Sequence, residues 1–135
     1  MRSSAKVLLV LPLLGLLAGC TATTLPEFQA EQTDRDVIRD TSAHEGVDVE
    51  STRYVGDVEG AELYLARGDE GDTLCLIHIR DQEWEQMGCG AGLGLGTVLP
   101  SGTRIEAGTF RFPAEEVGDG EREQLSESVA VITYP

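Results

Sequence analysis

Two cysteines fourteen positions apart carry the clearest chemical signal in this 135-residue chain. Cys75 lies in the apolar run Thr73–Arg80, and Cys89 sits between Gly88 and Gly90. Their positions are symmetric about residue 82, inside the polar stretch Asp81-Gln82-Glu83. A hairpin turning there sets Cys75 opposite Cys89, Ile77 opposite Met87, His78 opposite Gln86 and Arg80 opposite Trp84. The apolar face Cys75, Ile77, Ile79, Met87 and Cys89 is then expected to point to the core, with His78, Gln86, Arg80 and Trp84 on the other side. A disulfide closing a loop of about 15 residues is worth about 3 kcal/mol in loop-closure entropy. No Cys-x-x-Cys spacing occurs and both cysteines occupy apolar strand positions, so the pair reads as a structural bridge and not as a redox couple.

Other chemistry-bearing residues do not assemble into a motif. His44 falls in a loop and His78 on a strand, and a metal site needs three or four converging ligands. Asp69, Glu70 and Asp72, and separately Asp119 and Glu121, lack the ligand spacing of a calcium-binding loop and read as solvated turns. No serine sits in a Gly-x-Ser-x-Gly elbow. Paired carboxylates are unavoidable among 24 acidic residues, so they do not single out a glycosidase. The alternating glycines 88, 90, 92, 94 and 96 do not follow dinucleotide or P-loop spacing. They describe a loop or a strand with a bare face, against which a ring such as Trp84 or a neighbouring backbone can lie close. No catalytic, cofactor-binding or metal-binding residue is assigned, and the chain is not expected to be an enzyme.

The N-terminus is organised differently. Arg2 and Lys6 precede an apolar run of eleven residues, Val7–Leu17. That run is shorter than the roughly 20 residues of a spanning helix and has the layout of a cleavable export signal. Leu17-Ala18-Gly19-Cys20 then resembles the lipobox of bacterial lipoproteins. The resemblance implies a cut after residue 19 and a diacylglyceryl group on Cys20, with palmitate-type acyl chains holding the protein to the outer, extracytoplasmic face of the cell membrane. Thr21 follows, so the Asp that retains some Gram-negative lipoproteins at that position is missing. With Cys20 lipidated, Cys75 and Cys89 form the even remainder expected of an exported, disulfide-bonded chain.

The elements that must position these residues follow from patterning. Residues 1–19 are the signal peptide, 20–26 a lipidated tether, 27–45 a short helix and loop, and 46–135 a β-rich extracytoplasmic domain. Pro26 and early acids start the helix in PEFQAEQTDRDVIRD. Strands are expected over Ser51–Gly56, Ala61–Arg67, Thr73–Arg80, 84–90, Thr103–Ala107, Thr109–Phe112 and Val129–Tyr134, with turns at Pro100-Ser101-Gly102 and Gly118-Asp119-Gly120. The fold class is therefore mainly β: a small antiparallel β-sheet domain with at most one short N-terminal helix (α+β at most) and one disulfide.

Charge narrows the partners. Beyond residue 19 the chain has eight Arg and no Lys against all 24 acids, a side-chain charge of −16. That sign opposes nucleic acid phosphates and anionic lipid heads; it describes a solvated, self-repelling surface that stays soluble, and among partners it allows a basic protein. Several fragments together resemble a group of small secreted or lipid-anchored actinobacterial proteins, mostly of uncharacterised function. They are Gln32-Thr33, Ser51–Gly56, Gly60–Arg67, Leu74-Cys75-Leu76, Gly88-Cys89-Gly90 and Leu125–Val131. The resemblance implies a β-rich module with one disulfide and transfers no catalytic residue. Three functions compete. The first is a non-enzymatic interaction or structural module of the cell surface. The second is an acidic inhibitor or binder of a cationic envelope-active protein, and the third an envelope enzyme of unknown reaction.

Overall fold

A computed structural model describes residues 24–40 and 45–135. Cys20, the signal segment and His44 lie outside the described residues. Among the described residues, eight antiparallel strands form two four-stranded sheets. The first is a meander of β1 (Arg53–Val58), β2 (Ala61–Arg67), β3 (Leu74–Arg80) and β4 (Glu83–Gly90). The second has the order β5-β6-β8-β7, built from β5 (Gly94–Val98), β6 (Arg104–Gly108), β7 (Glu121–Gln124) and β8 (Val129–Thr133). The mainly antiparallel β class with one disulfide, read from the sequence, is what the chain adopts.

The two sheets face each other across the main core. Leu63, Leu65, Leu74 and Leu76 of the first sheet meet Ile105, Ala107, Val129 and Val131 of the second. The central strands of each sheet, β2 and β3 in the first and β6 and β8 in the second, are also buried on their outer faces. The N-terminal segment crosses the first sheet, where Ile38 and Val47 pack on Tyr64, Ala66, Cys75, Ile77 and Ile79. The segment after β6 crosses the second sheet, and the Phe110 ring lies where a Cβ on Gly96 would stand. That overlap explains the bare strand face, with Phe110 in the place where the sequence suggested Trp84.

The Cys75–Cys89 disulfide forms, and the register around it is the expected one: Cys75 opposite Cys89, Ile77 opposite Met87 and His78 opposite Gln86. Two details differ. A bulge at Glu85 shifts the pairing to Ile79–Trp84 and Arg80–Glu83, which moves Trp84 to the disulfide side of the sheet. Burial is also redistributed, because β3 is buried on both faces. Leu74, Leu76 and His78 point into the intersheet space, whereas Cys75, Ile77 and Ile79 form the second, outer core. His78 is therefore buried, not exposed, and Met87 and Cys89 on the edge strand are exposed, not buried.

Other boundaries shift for physical reasons. The N-terminal helix is a single turn, α1 (Pro26–Gln29), followed by a 3-10 turn at Asp34–Asp36. Thr33 and Asp36 close a capping box there, so local side-chain bonds replace a continuing helix. Thr109–Phe112 is not a strand: Phe112 N–H donates to the Glu106 carboxylate (2.7 Å), and both rings spread over the second sheet. The first strand runs Arg53–Val58, two residues later than expected. Of the loop or bare-faced strand read from the alternating glycines, the strand β5 forms at Gly94–Val98, whereas β7 and the one-turn α2 (Ala114–Val117) were not anticipated.

Candidate functional site

β4 and β5 are consecutive in the chain yet belong to different sheets, each as an edge strand. They touch at one end, where a Cβ on Gly90 would collide with the Gly94 carbonyl. From that corner the two strands diverge. First comes a cavity of about 130 Å³ between Leu76, His78, Gln86, Gly88, Leu95 and Thr97. A larger one of about 200 Å³ follows, reaching Val58, Glu59, Arg80, Gln86 and Ser101. His78 and Gln86 line both cavities. The result is a wedge-shaped seam, closed at the Gly90–Gly94 corner and open toward the Asp81-Gln82 turn.

His78 forms its floor. The side chain is 4% exposed and makes no hydrogen bond to a described residue. Burial depresses its pKa below the usual histidine value; nearby Glu85 opposes the shift and Arg80 reinforces it. The imidazole is thus neutral at neutral pH, with one nitrogen donating and one accepting. The mouth is laced by polar bonds. Glu59 accepts from the Ser101 and Thr103 hydroxyls, which hold its carboxyl below the usual range. Arg80 donates to the Glu59 carbonyl (2.8 Å) and pairs with Glu85 (3.0 Å). These contacts tie the β1–β2 turn to the turn before β6 and keep the wedge from collapsing.

A cavity of about 260 Å³ lies on the outer face of the first sheet, between Arg35, Ile38, Glu62, Tyr64 and Ile79. Three of its polar groups, Arg35, Glu62 and Tyr64, bond to one another, while Asp34, Arg39 and Gln82 line the rim. Arg35 donates to Tyr64 Oη and to Glu62 (both 3.1 Å) and stacks 3.7 Å from the Tyr54 ring centre. Tyr64 donates in turn to Glu62 (3.0 Å), and burial followed by that carboxylate pushes its phenol up to about 12. The cluster fastens the N-terminal segment to the sheet and pairs the Arg35 and Glu62 charges.

The acids considered as calcium ligands are separated. Asp69, Glu70 and Asp72 are exposed in the β2–β3 loop, and Asp119 and Glu121 flank the turn into β7. Among the described residues no three His, Cys, Asp or Glu side chains converge as a metal site. Sequence reasoning passed over His78 as a strand histidine; the signal that marks it is its place at the inward position next to Leu74 and Leu76. Comparison with protein-family models, curated proteins and solved structures returned no match to this chain.

Proposed function

We propose that the chain is exported, lipidated on Cys20 and displayed on the extracytoplasmic face of the cell membrane as a non-enzymatic binding module that engages its partner through the β4–β5 seam. One observation carries the binding reading. The seam is an open, partly apolar wedge whose floor residue, His78, has among the described residues no hydrogen-bonded carboxylate of the kind that orients a general base. An imidazole facing an open wedge offers one donor and one acceptor to a ligand that enters it, the arrangement of a recognition site. The disulfide supports export, because such bridges persist in oxidising compartments. Mass spectrometry of the membrane fraction is expected to show a lipidated N-terminal Cys20 peptide, and a Cys20→Ser chain is expected to leave the membrane. Full retention of that variant would refute the anchor.

A basic protein as the partner is supported by the overall side-chain charge of −16 beyond residue 19, which includes acids on the sheet edge remote from the seam that steer a cation at long range. Glu115, Glu116, Asp119, Glu121 and Glu123 are all exposed within nine residues of chain. Association is then expected to weaken as salt rises. A best partner that is acidic and binds independently of salt would rule this out.

A further inference from the structure

The folded domain begins almost at the anchor. Thr24 Oγ1 accepts a hydrogen bond from Arg67 Nη2 (2.7 Å), and the Arg67 guanidinium lies 5.0 Å from the centre of the Phe28 ring. Leu25 and Phe28 are each 8% exposed in the main core. Glu27 accepts from the Ser126 hydroxyl (2.7 Å) and the Ser128 amide (2.9 Å), locking α1 to the β7–β8 turn. The chain is therefore fixed to one end of the sandwich from residue 24 onward. That end carries the β2–β3 and β7–β8 loops and the closed corner of the seam.

From the proposed lipid site at Cys20 to Thr24 is four residues, a reach of at most about 14 Å. The seven-residue β2 alone rises about 20 Å from that end to the other. The tether is too short to pass around the domain. We infer that the anchored domain faces the lipid headgroups with the end carrying the β2–β3 and β7–β8 loops, and holds the mouth of the seam away from the membrane. This orientation rests on the lipid-anchor reading above.

The charge of that end sets how it meets lipid. Asp48, Glu50, Asp69, Glu70, Asp72 and Glu127 are all exposed there. Three cations beside them are already engaged: Arg67 with Thr24 and Phe28, Arg53 with the Ala30 carbonyl (2.9 Å) and Arg111 with the Gly108 carbonyl (2.8 Å). An anionic bilayer repels such a face within about a Debye length, roughly 8 Å at physiological salt. The end therefore fits a zwitterionic headgroup surface closely and lifts from an anionic one to the limit of its tether.

Energy transfer on the processed, lipidated protein tests both parts. A donor is placed on Glu70→Cys or, at the opposite end, on Asp119→Cys, with acceptors on the headgroups of phosphatidylcholine vesicles. The other cysteines are held by lipid or disulfide, so each variant labels once. Transfer from position 70 is expected to be severalfold more efficient than from position 119. Adding phosphatidylglycerol is expected to lower transfer from position 70, and raised salt to restore it. Equal or greater transfer from position 119 overturns the orientation. Transfer from position 70 that rises with phosphatidylglycerol overturns the repulsive contact. Protein that mass spectrometry shows to be unlipidated and that fails to bind vesicles refutes the anchor reading, and the orientation falls with it.

Discussion

Glu106 shows how one residue decides a layer. It is fully buried on β6, on the face opposite Ile105 and Ala107, where an isolated carboxylate would be strongly unfavourable. Arg122 binds it through two nitrogens (2.8 and 3.0 Å), and the Phe112 amide donates to the same carboxylate. Burial alone would raise its pKa, but Arg122 and the Phe112 amide outweigh burial and hold it below the usual carboxylate range. A depressed native pKa means that the unfolded chain binds the proton first. The contribution of Glu106 is thus complete above about pH 4.3, the unfolded value, and is lost as pH falls through the lower native one. Glu106→Gln keeps the volume but sets an amide against the guanidinium. At pH 7 it is expected to cost about 1–3 kcal/mol, the usual worth of hydrogen bonds to a charged group. Thermal melts of both proteins from pH 7 to pH 3 check this: the gap should close as the pH falls. A gap that stays constant would show that the charge of Glu106 does not matter.

At the scale of elements, patterning found the strands that bury apolar side chains and missed those that do not. Ala61–Arg67 came out with its observed ends, and the Cys75–Cys89 pairing followed from symmetry about a polar turn. β7 reads Glu121-Arg122-Glu123-Gln124 and is exposed throughout, so no hydrophobic period marks it. It is held by the β8 ladder and by Arg122 reaching Glu106. The glycines of β5 allow loop or strand alike, and their role appears only once Phe110 has folded over them. The face assignment of β3 went astray because its run of apolar residues has no polar alternation. A strand buried on both sides does not announce which side holds the larger core. The turn after it offers a second test. Asp81 and Gln82 both adopt positive φ (51° and 67°), the type I′ geometry that suits a two-residue hairpin. Asp tolerates this region, whereas Gln is strained there by about 1–2 kcal/mol. Gln82→Gly relieves the strain and loses part of the gain to a more flexible unfolded chain. Denaturant melts are expected to show a net stabilisation of about 0.5–1 kcal/mol, and a destabilised variant would mean that Gln82 makes a contact worth more than its strain.

For the whole molecule, the strand pattern places the body of the domain in residues 46–135, but the packing begins at residue 24. Leu25 and Phe28 complete the main core, while Ile38 covers the outer face of the first sheet. Polar bonds stitch the same segment down. Asp36 accepts from the Tyr54 amide (2.9 Å), Gln32 donates to Thr52 (2.9 Å), and the Trp84 indole donates to the Asp40 carbonyl (2.6 Å). None of this is legible locally, because the segment has few apolar residues and its partners lie far along the chain. The seam was hidden for a similar reason: it exists only between two sheets, and a strand histidine gives no sign of which sheet will face it. Burying three such side chains stabilises by about 1.5–3 kcal/mol each, a sum comparable to the roughly 5–15 kcal/mol that holds a whole domain folded. A chain of residues 24–135 is therefore expected to melt cooperatively. A chain of residues 45–135 should show no cooperative transition and should bind a hydrophobic dye through the uncovered Tyr64, Ile77 and Ile79 face. Differential scanning calorimetry of the two chains decides it. If the shorter chain unfolds cooperatively at a similar temperature, the N-terminal segment is an appendage and not a layer of the fold.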